Sequence, residues 1–138
     1  MKIKNKITLE QAKVEIISFL DAHYVDTDVD EMSESAKDDF EELIRIISKP
    51  VMQGRAVVDG DKFILTLRKP QGDLKEVIVN GLDAKAIFSA GKGKNTSQEE
   101  KMGYIMAEML KIPFAQVGRL VAQDFMIVST LSSVFIAV

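Results

Sequence analysis

Asp26-Thr27-Asp28-Val29-Asp30 sets three carboxylates at alternate positions, the opening of a calcium-binding loop. The full loop needs glycine at its sixth position for the sharp turn and glutamate at its twelfth to chelate the ion. Those positions hold Glu31 and Lys37. The carboxylates are therefore read as an acidic loop leading into a helix N-terminus, where negative charge is favourable. A calcium- or small-ligand-binding module is the lesser alternative. Gly91-Lys92-Gly93-Lys94-Asn95 suggests phosphate, yet a phosphate loop needs serine or threonine after Gly-Lys and a glycine five residues earlier. Asn95 and Phe88 stand there instead. His23 is the only histidine and there is no cysteine, which excludes disulfides, thiolate metal sites and thiol nucleophiles. No serine-histidine-acid set can be assembled. Asp38, Asp39, Glu41 and Glu42 fall on the polar side of a helix. The expectation is a protein that is not an enzyme and has no cofactor or metal.

The elements around these residues are legible. Thr8-Leu9-Glu10-Gln11 is a capping box, and Leu9, Ala12, Ile16 and Leu20 follow at helical spacing. A first helix is expected from Leu9 to Tyr24. A second starts near Ser33 or Ser35, carries Ala36, Phe40, Leu43, Ile44 and Ile47 on one face, and stops at Pro50. Beyond Val51 the period changes. Arg55 to Val58 is a short strand, and Lys62 to Arg68 alternates, with Phe63, Leu65 and Leu67 on one face. A tight turn is expected over Lys69 to Asp73, then a strand from Leu74 to Val79. Helices return over Asp83 to Ala90, after Thr96 or Ser97, and after Pro113. Met102, Ile105, Met106, Met109 and Leu110 form an apolar stripe. The fold class is α+β: an N-terminal helical hairpin, a three-stranded antiparallel β-meander, and C-terminal helices packed on it. The division is an acidic hairpin over 1–49 and the meander with its helices over 50–138, together one domain.

The chain has 138 residues and net charge −3. Residues 1–50 carry 7 basic and 12 acidic side chains, and residues 51–138 carry 11 and 9. That balance gives no support for nucleic-acid binding. Asp124-Phe-Met-Ile-Val-Ser-Thr-Leu-Ser-Ser-Val-Phe-Ile-Ala-Val138 is almost uncharged. It is short of the roughly 20 residues a spanning helix needs, so no membrane partner is expected. Its periodicity fits helix or strand. Asp124 is a point where the preceding helix could break.

"LTLRKPQGDL", Leu65 to Leu74, and "MLKIPFAQVGRLVAQDFMIV", Met109 to Val128, resemble the tail assembly chaperones of long-tailed bacteriophages. Thr66, Leu67, Arg68, Pro70, Gly72, Asp73 and Leu74 match the first part of the family pattern. Leu110, Pro113, Val117, Leu120 and Asp124 match the second. The likeness covers roughly Lys49 to the end; the acidic hairpin and the Gly91 loop fall outside it. It implies a phage or prophage protein of the host cytoplasm that keeps the long, helical tape-measure protein soluble during tail-tube assembly. It makes Arg68, Pro70, Gly72, Asp73 and Asp124 structural motif residues. Tape-measure protein is the implied partner, with tail-tube protein and self-association beside it. Another phage or prophage tail accessory is the alternative.

Methionine-rich surfaces adapt to varied partners. Met102, Met106, Met109, Phe125, Ile127, Val128, Leu131 and Phe135 are therefore the candidate partner-binding residues. They are expected partly to close the core and partly to form a contact surface.

Overall fold

Thr8 begins the first helix as the sequence requires: its hydroxyl accepts the Gln11 amide at 3.1 Å, and the Gln11 side chain accepts the Thr8 amide at 3.0 Å. The structure, a computed structural model, describes residues 6–90 and 97–136. Helix α1 spans Leu9–Ala22 and α2 spans Glu34–Met52, with a short 3-10 turn, Val29–Glu31, between them. Strands β1 (Ala56–Asp59), β2 (Lys62–Gln71) and β3 (Leu74–Val79) follow, then α3 (Ala84–Ala90), α4 (Gln98–Leu110), α5 (Phe114–Val117) and α6 (Ala122–Ile136). The sheet is antiparallel in the order β1-β2-β3. This is the expected α+β arrangement. The Gly91 to Asn95 loop and Thr96 lie outside the described residues.

The alternation in β2 sets the layers. Phe63, Leu65 and Leu67 are buried, while Lys62, Thr66 and Arg68 face out. The covered face meets Phe19 and Leu20 of α1, Ile47 of α2, Met106 of α4 and Val128 and Leu131 of α6 in one continuous core. The hairpin and the meander therefore share a core, as expected for elements that each have one apolar face.

Four boundaries differ from the sequence reading by more than one residue, each for a physical reason. Pro50 does not stop α2; it is buried in the last turn and the helix runs on to Met52. A proline this near the end forfeits only one helical hydrogen bond. The stop is Gly54, at φ +77°, with the Arg55 amide on the Pro50 carbonyl (2.9 Å) and the Gly54 amide on Val51 (3.1 Å). Those two bonds are the Schellman motif, which needs a left-handed residue. Helix α1 ends in the same way two residues before the expected Tyr24. Tyr24 itself takes the left-handed place, φ +62°, with the Val25 amide on Leu20 and its own on Asp21.

In the sheet, β2 continues through Pro70 to Gln71, so the turn contracts to Gly72-Asp73, with Gly72 at φ +62°. After Val117 the chain does not continue as a helix. Bonds from Arg119 to Gln116 and from Leu120 to Val117 tighten it into a 3-10-like turn. Helix α6 then starts afresh, and Asp124 lies in its first turn rather than at a break. The uncharged end of the chain is helix, not strand, through Ile136.

Candidate functional site around Asp124

Asp124 is a carboxylate with 1% of its side-chain surface exposed. A charge so buried needs donors, since desolvation costs several kcal/mol per ion. Two groups supply them, and a third adds its charge. The Arg55 guanidinium donates to Oδ1 at 2.8 Å, the Arg68 backbone N–H donates to Oδ2 at 2.8 Å, and the Arg68 guanidinium lies 3.8 Å from Oδ1. The first turn of α6 adds a favourable field for a negative charge.

The strand geometry explains why a carboxylate is needed here. On the β1 side of β2, the Thr66 amide bonds the Arg55 carbonyl at 2.8 Å. Strand β1 pairs no further along β2 than Leu65, through Ala56. Two residues beyond Thr66, the Arg68 amide has no β1 partner, and Asp124 accepts it instead. Two residues further stands Pro70, which has no N–H to satisfy. Proline is at home on such an unpaired edge. Against β3 the ladder shifts register between Thr66 and Gln71, and the ribbon closes at Gly72-Asp73. Thr66, Arg68, Pro70, Gly72 and Asp124 thus all serve the place where the sheet loses a strand and α6 covers the gap. Sequence reasoning singled out Arg68 and Asp124 but missed Arg55, which follows the α2 glycine and carries no pattern of its own.

Arg55 is 17% exposed and Arg68 is 37% exposed. Burial, and after it the Arg68 charge, pushes the Arg55 guanidinium below its usual value; Asp124 pulls the other way. The two cations are thus crowded around one carboxylate. Beside them a groove of about 360 Å³ is lined by Arg45, Lys49, Arg55 and Arg68, over a floor that includes Pro50 and Ile127. Arg45 also pairs with Glu42 at 2.6 Å on the solvated face of α2. That hydrogen bond, more than the bare charge of Arg45, holds the Glu42 carboxyl below its ordinary value. Met126, 58% exposed, closes the groove, and Phe125, 37% exposed, lies next to it in sequence.

The candidate partner-binding set divides sharply. Met106, Met109, Ile127, Val128 and Leu131 are buried in the core. Met102 and Phe135 are half-buried: the Met102 sulfur lies 3.3 Å from Ser132 Oγ, and the Phe135 ring meets Phe19 edge-on at 5.9 Å. Only Phe125 of that set is exposed. The methionine stripe is consumed by packing α4 into the shared core, because a helix with one apolar face must bury it. The large apolar side chains of α6 left exposed near its start are Phe125 and Met126, the methionine that follows the stripe in the sequence.

The acidic loop has no chelating geometry. The Asp26 carboxylate accepts the Asp28 amide and the Asp28 carboxylate accepts the Asp30 amide, both at 3.1 Å. Among the described residues no three His, Asp, Glu or Cys side chains converge as a metal-ligand set. His23 Nε2 meets the Asp61 carbonyl and its ring packs edge-on against Phe19 at 4.9 Å, tying α1 to the β1–β2 turn. A second cavity, about 530 Å³, lies beside it between the end of α1, the Asn80-Gly81 connection and the end of α4. No described helix is long and apolar enough to cross a membrane. Comparison with protein-family models, with curated proteins and with solved structures gave no match.

Proposed function

We propose that this chain is a tail assembly chaperone of a long-tailed phage or prophage, acting in the host cytoplasm. It works by binding: it holds the tape-measure protein soluble while tail-tube subunits assemble around it. One observation carries the reading. The two stretches that resemble the family, 65–74 and 109–128, are far apart in sequence but meet at the Asp124 carboxylate, which takes the Arg68 amide at 2.8 Å, and again where the Gln71 side chain donates to the Gln116 carbonyl at 3.0 Å. A motif whose halves interlock is better support than two short matches considered separately. The exposed apolar pair Phe125 and Met126 on α6 offers a place for an amphipathic client helix.

Co-expression with the long helical protein encoded next to this gene tests the reading. The expected outcome is capture of that protein on the tagged chain and a rise in its soluble yield. Phe125→Asp should keep the fold, since the ring is already partly in water, and should lower capture. Leu131→Asp should unfold the chain, because it buries an unpaired charge. No capture by the folded wild-type protein would overturn the chaperone reading.

A further inference from the structure

Arg45 and Lys49 stand one turn apart on α2, and both are exposed. Arg55 arrives from the α2–β1 connection and Arg68 from β2, and all four side chains line the groove of about 360 Å³. Among the described residues, the salt bridges of these cations go to Glu42 and Asp124. Four cations against two carboxylates leave two positive charges without a partner. Burial and the neighbouring Arg68 charge both push the Arg55 guanidinium down, so an anion in the groove relieves a crowding already present. The first two residues of α6, Ala122 and Gln123, add the positive end of a helix to the same wall. The rest of the lining is apolar: Ile46, Pro50, Ile127 and the exposed Met126.

We infer that this groove binds a small phosphate monoester with an aromatic body, the chemistry of a nucleoside monophosphate. Charge argues the first half of the assignment. A phosphate monoester carries close to two negative charges at neutral pH, which matches the two unpartnered cations; a sulfonate, a carboxylate or a phosphodiester carries one. Guanidinium groups suit phosphate oxygens. Asp124 already holds the Arg55 side chain in place, so less freedom is lost on binding. The apolar lining argues the second half. A bare ion leaves Ile46, Pro50 and Met126 uncovered, whereas a ring covers them, and methionine sulfur and guanidinium planes both favour aromatic contact. The volume falls at the low end of the range for small-ligand pockets. A bound ligand would tie together α2, β2 and α6, the last two of which Asp124 also joins. The inference goes beyond the chaperone reading and does not rest on it. Client capture without phosphate binding sinks the inference alone, and phosphate binding without capture sinks the chaperone alone.

The test is titration of the full chain at roughly 50 mM salt, where screening is moderate, with three probes read by calorimetry. Phenyl phosphate has both halves, inorganic phosphate lacks the ring, and benzenesulfonate lacks the second charge. Phenyl phosphate should bind at least ~10-fold more tightly than either of the others. Lys49→Gln should weaken phenyl phosphate and inorganic phosphate alike, by ~5-fold or more. Met126→Ser should weaken phenyl phosphate by ~3-fold or more and leave inorganic phosphate unchanged. Both side chains are exposed, and unchanged circular dichroism melts confirm that the variants fold. Amide shifts on adding phenyl phosphate should centre on Ile46, Gln123 and Met126. No saturable binding of phenyl phosphate overturns the proposal. So do equal affinities for the three probes, which mark unspecific attraction of anions, or binding that ignores both substitutions. A single-stranded oligonucleotide that binds while phenyl phosphate does not would also overturn it, giving the groove to a phosphodiester strand.

Discussion

The acidic loop and the Asp124 pocket hold the same side-chain chemistry and use it in opposite ways. In the loop, Asp26, Asp28 and Asp30 are exposed, and the bonds seen there only shape their own backbone. At Asp124 a single carboxylate, out of water, joins three elements through Arg55 of the α2–β1 connection, Arg68 of β2 and its own helix α6. A charge in water is cheap to keep and cheap to lose; a charge in the core holds the fold only while every partner stays in place. The contrast separates residues that build the molecule from residues free to meet another one.

That contrast can be broken by mutation. Asp124→Ala should have the largest effect, a loss of about 2–4 kcal/mol in urea unfolding, because it strands the Arg68 amide and leaves two cations together. Asp124→Asn, which keeps an acceptor but not the charge, should recover part of that loss. Arg55→Ala comes next, at about 1–2 kcal/mol, since Arg55 is well covered and bonds the carboxylate directly. Arg68→Ala should cost less, about 0.5–1 kcal/mol, because it keeps its backbone bond to Asp124 and its guanidinium is more exposed. Asp30→Ala, on the acidic loop, should change stability by less than about 0.5 kcal/mol. An Asp30→Ala cost equal to that of Asp124→Ala would erase the distinction. A second comparison sharpens it from the side of backbone strain. Tyr24 holds a left-handed cap that glycine fills without penalty, so Tyr24→Gly should raise stability by about 0.5–1 kcal/mol in the same assay.

Much of the fold was legible because local patterns carried it. Thr8 and Gln11 announced α1, Phe63, Leu65 and Leu67 set the face of β2, and Met102 to Leu110 marked the buried side of α4. The sequence reading failed where the deciding partner is remote. Pro50 looked like a stop because its effect on α2 depends on how close the helix end lies, and Gly54 was the residue that ended it. Tyr24 and Lys111 take left-handed positions usually left to glycine, and nothing in their identity shows it. Helix α6 is apolar on nearly every side, so its period could not separate helix from strand. The pairing of Arg55 with Asp124 spans 69 positions, and no local pattern announces it. Burial of the methionines was the least legible: a methionine stripe reads alike whether a partner or the chain's own core covers it.

The central claim is that Asp124 replaces the missing strand by taking the Arg68 amide, so that the two family-like stretches form one unit. Hydrogen exchange of the Arg68 amide, followed by NMR in wild type and in Asp124→Ala, tests it most directly. The account predicts protection in wild type comparable to that of Thr66, whose amide is bonded within the sheet, and its loss at Arg68 in the folded variant while Thr66 stays protected. An Arg68 amide that exchanges freely in wild type, or one equally protected without the carboxylate, would contradict it.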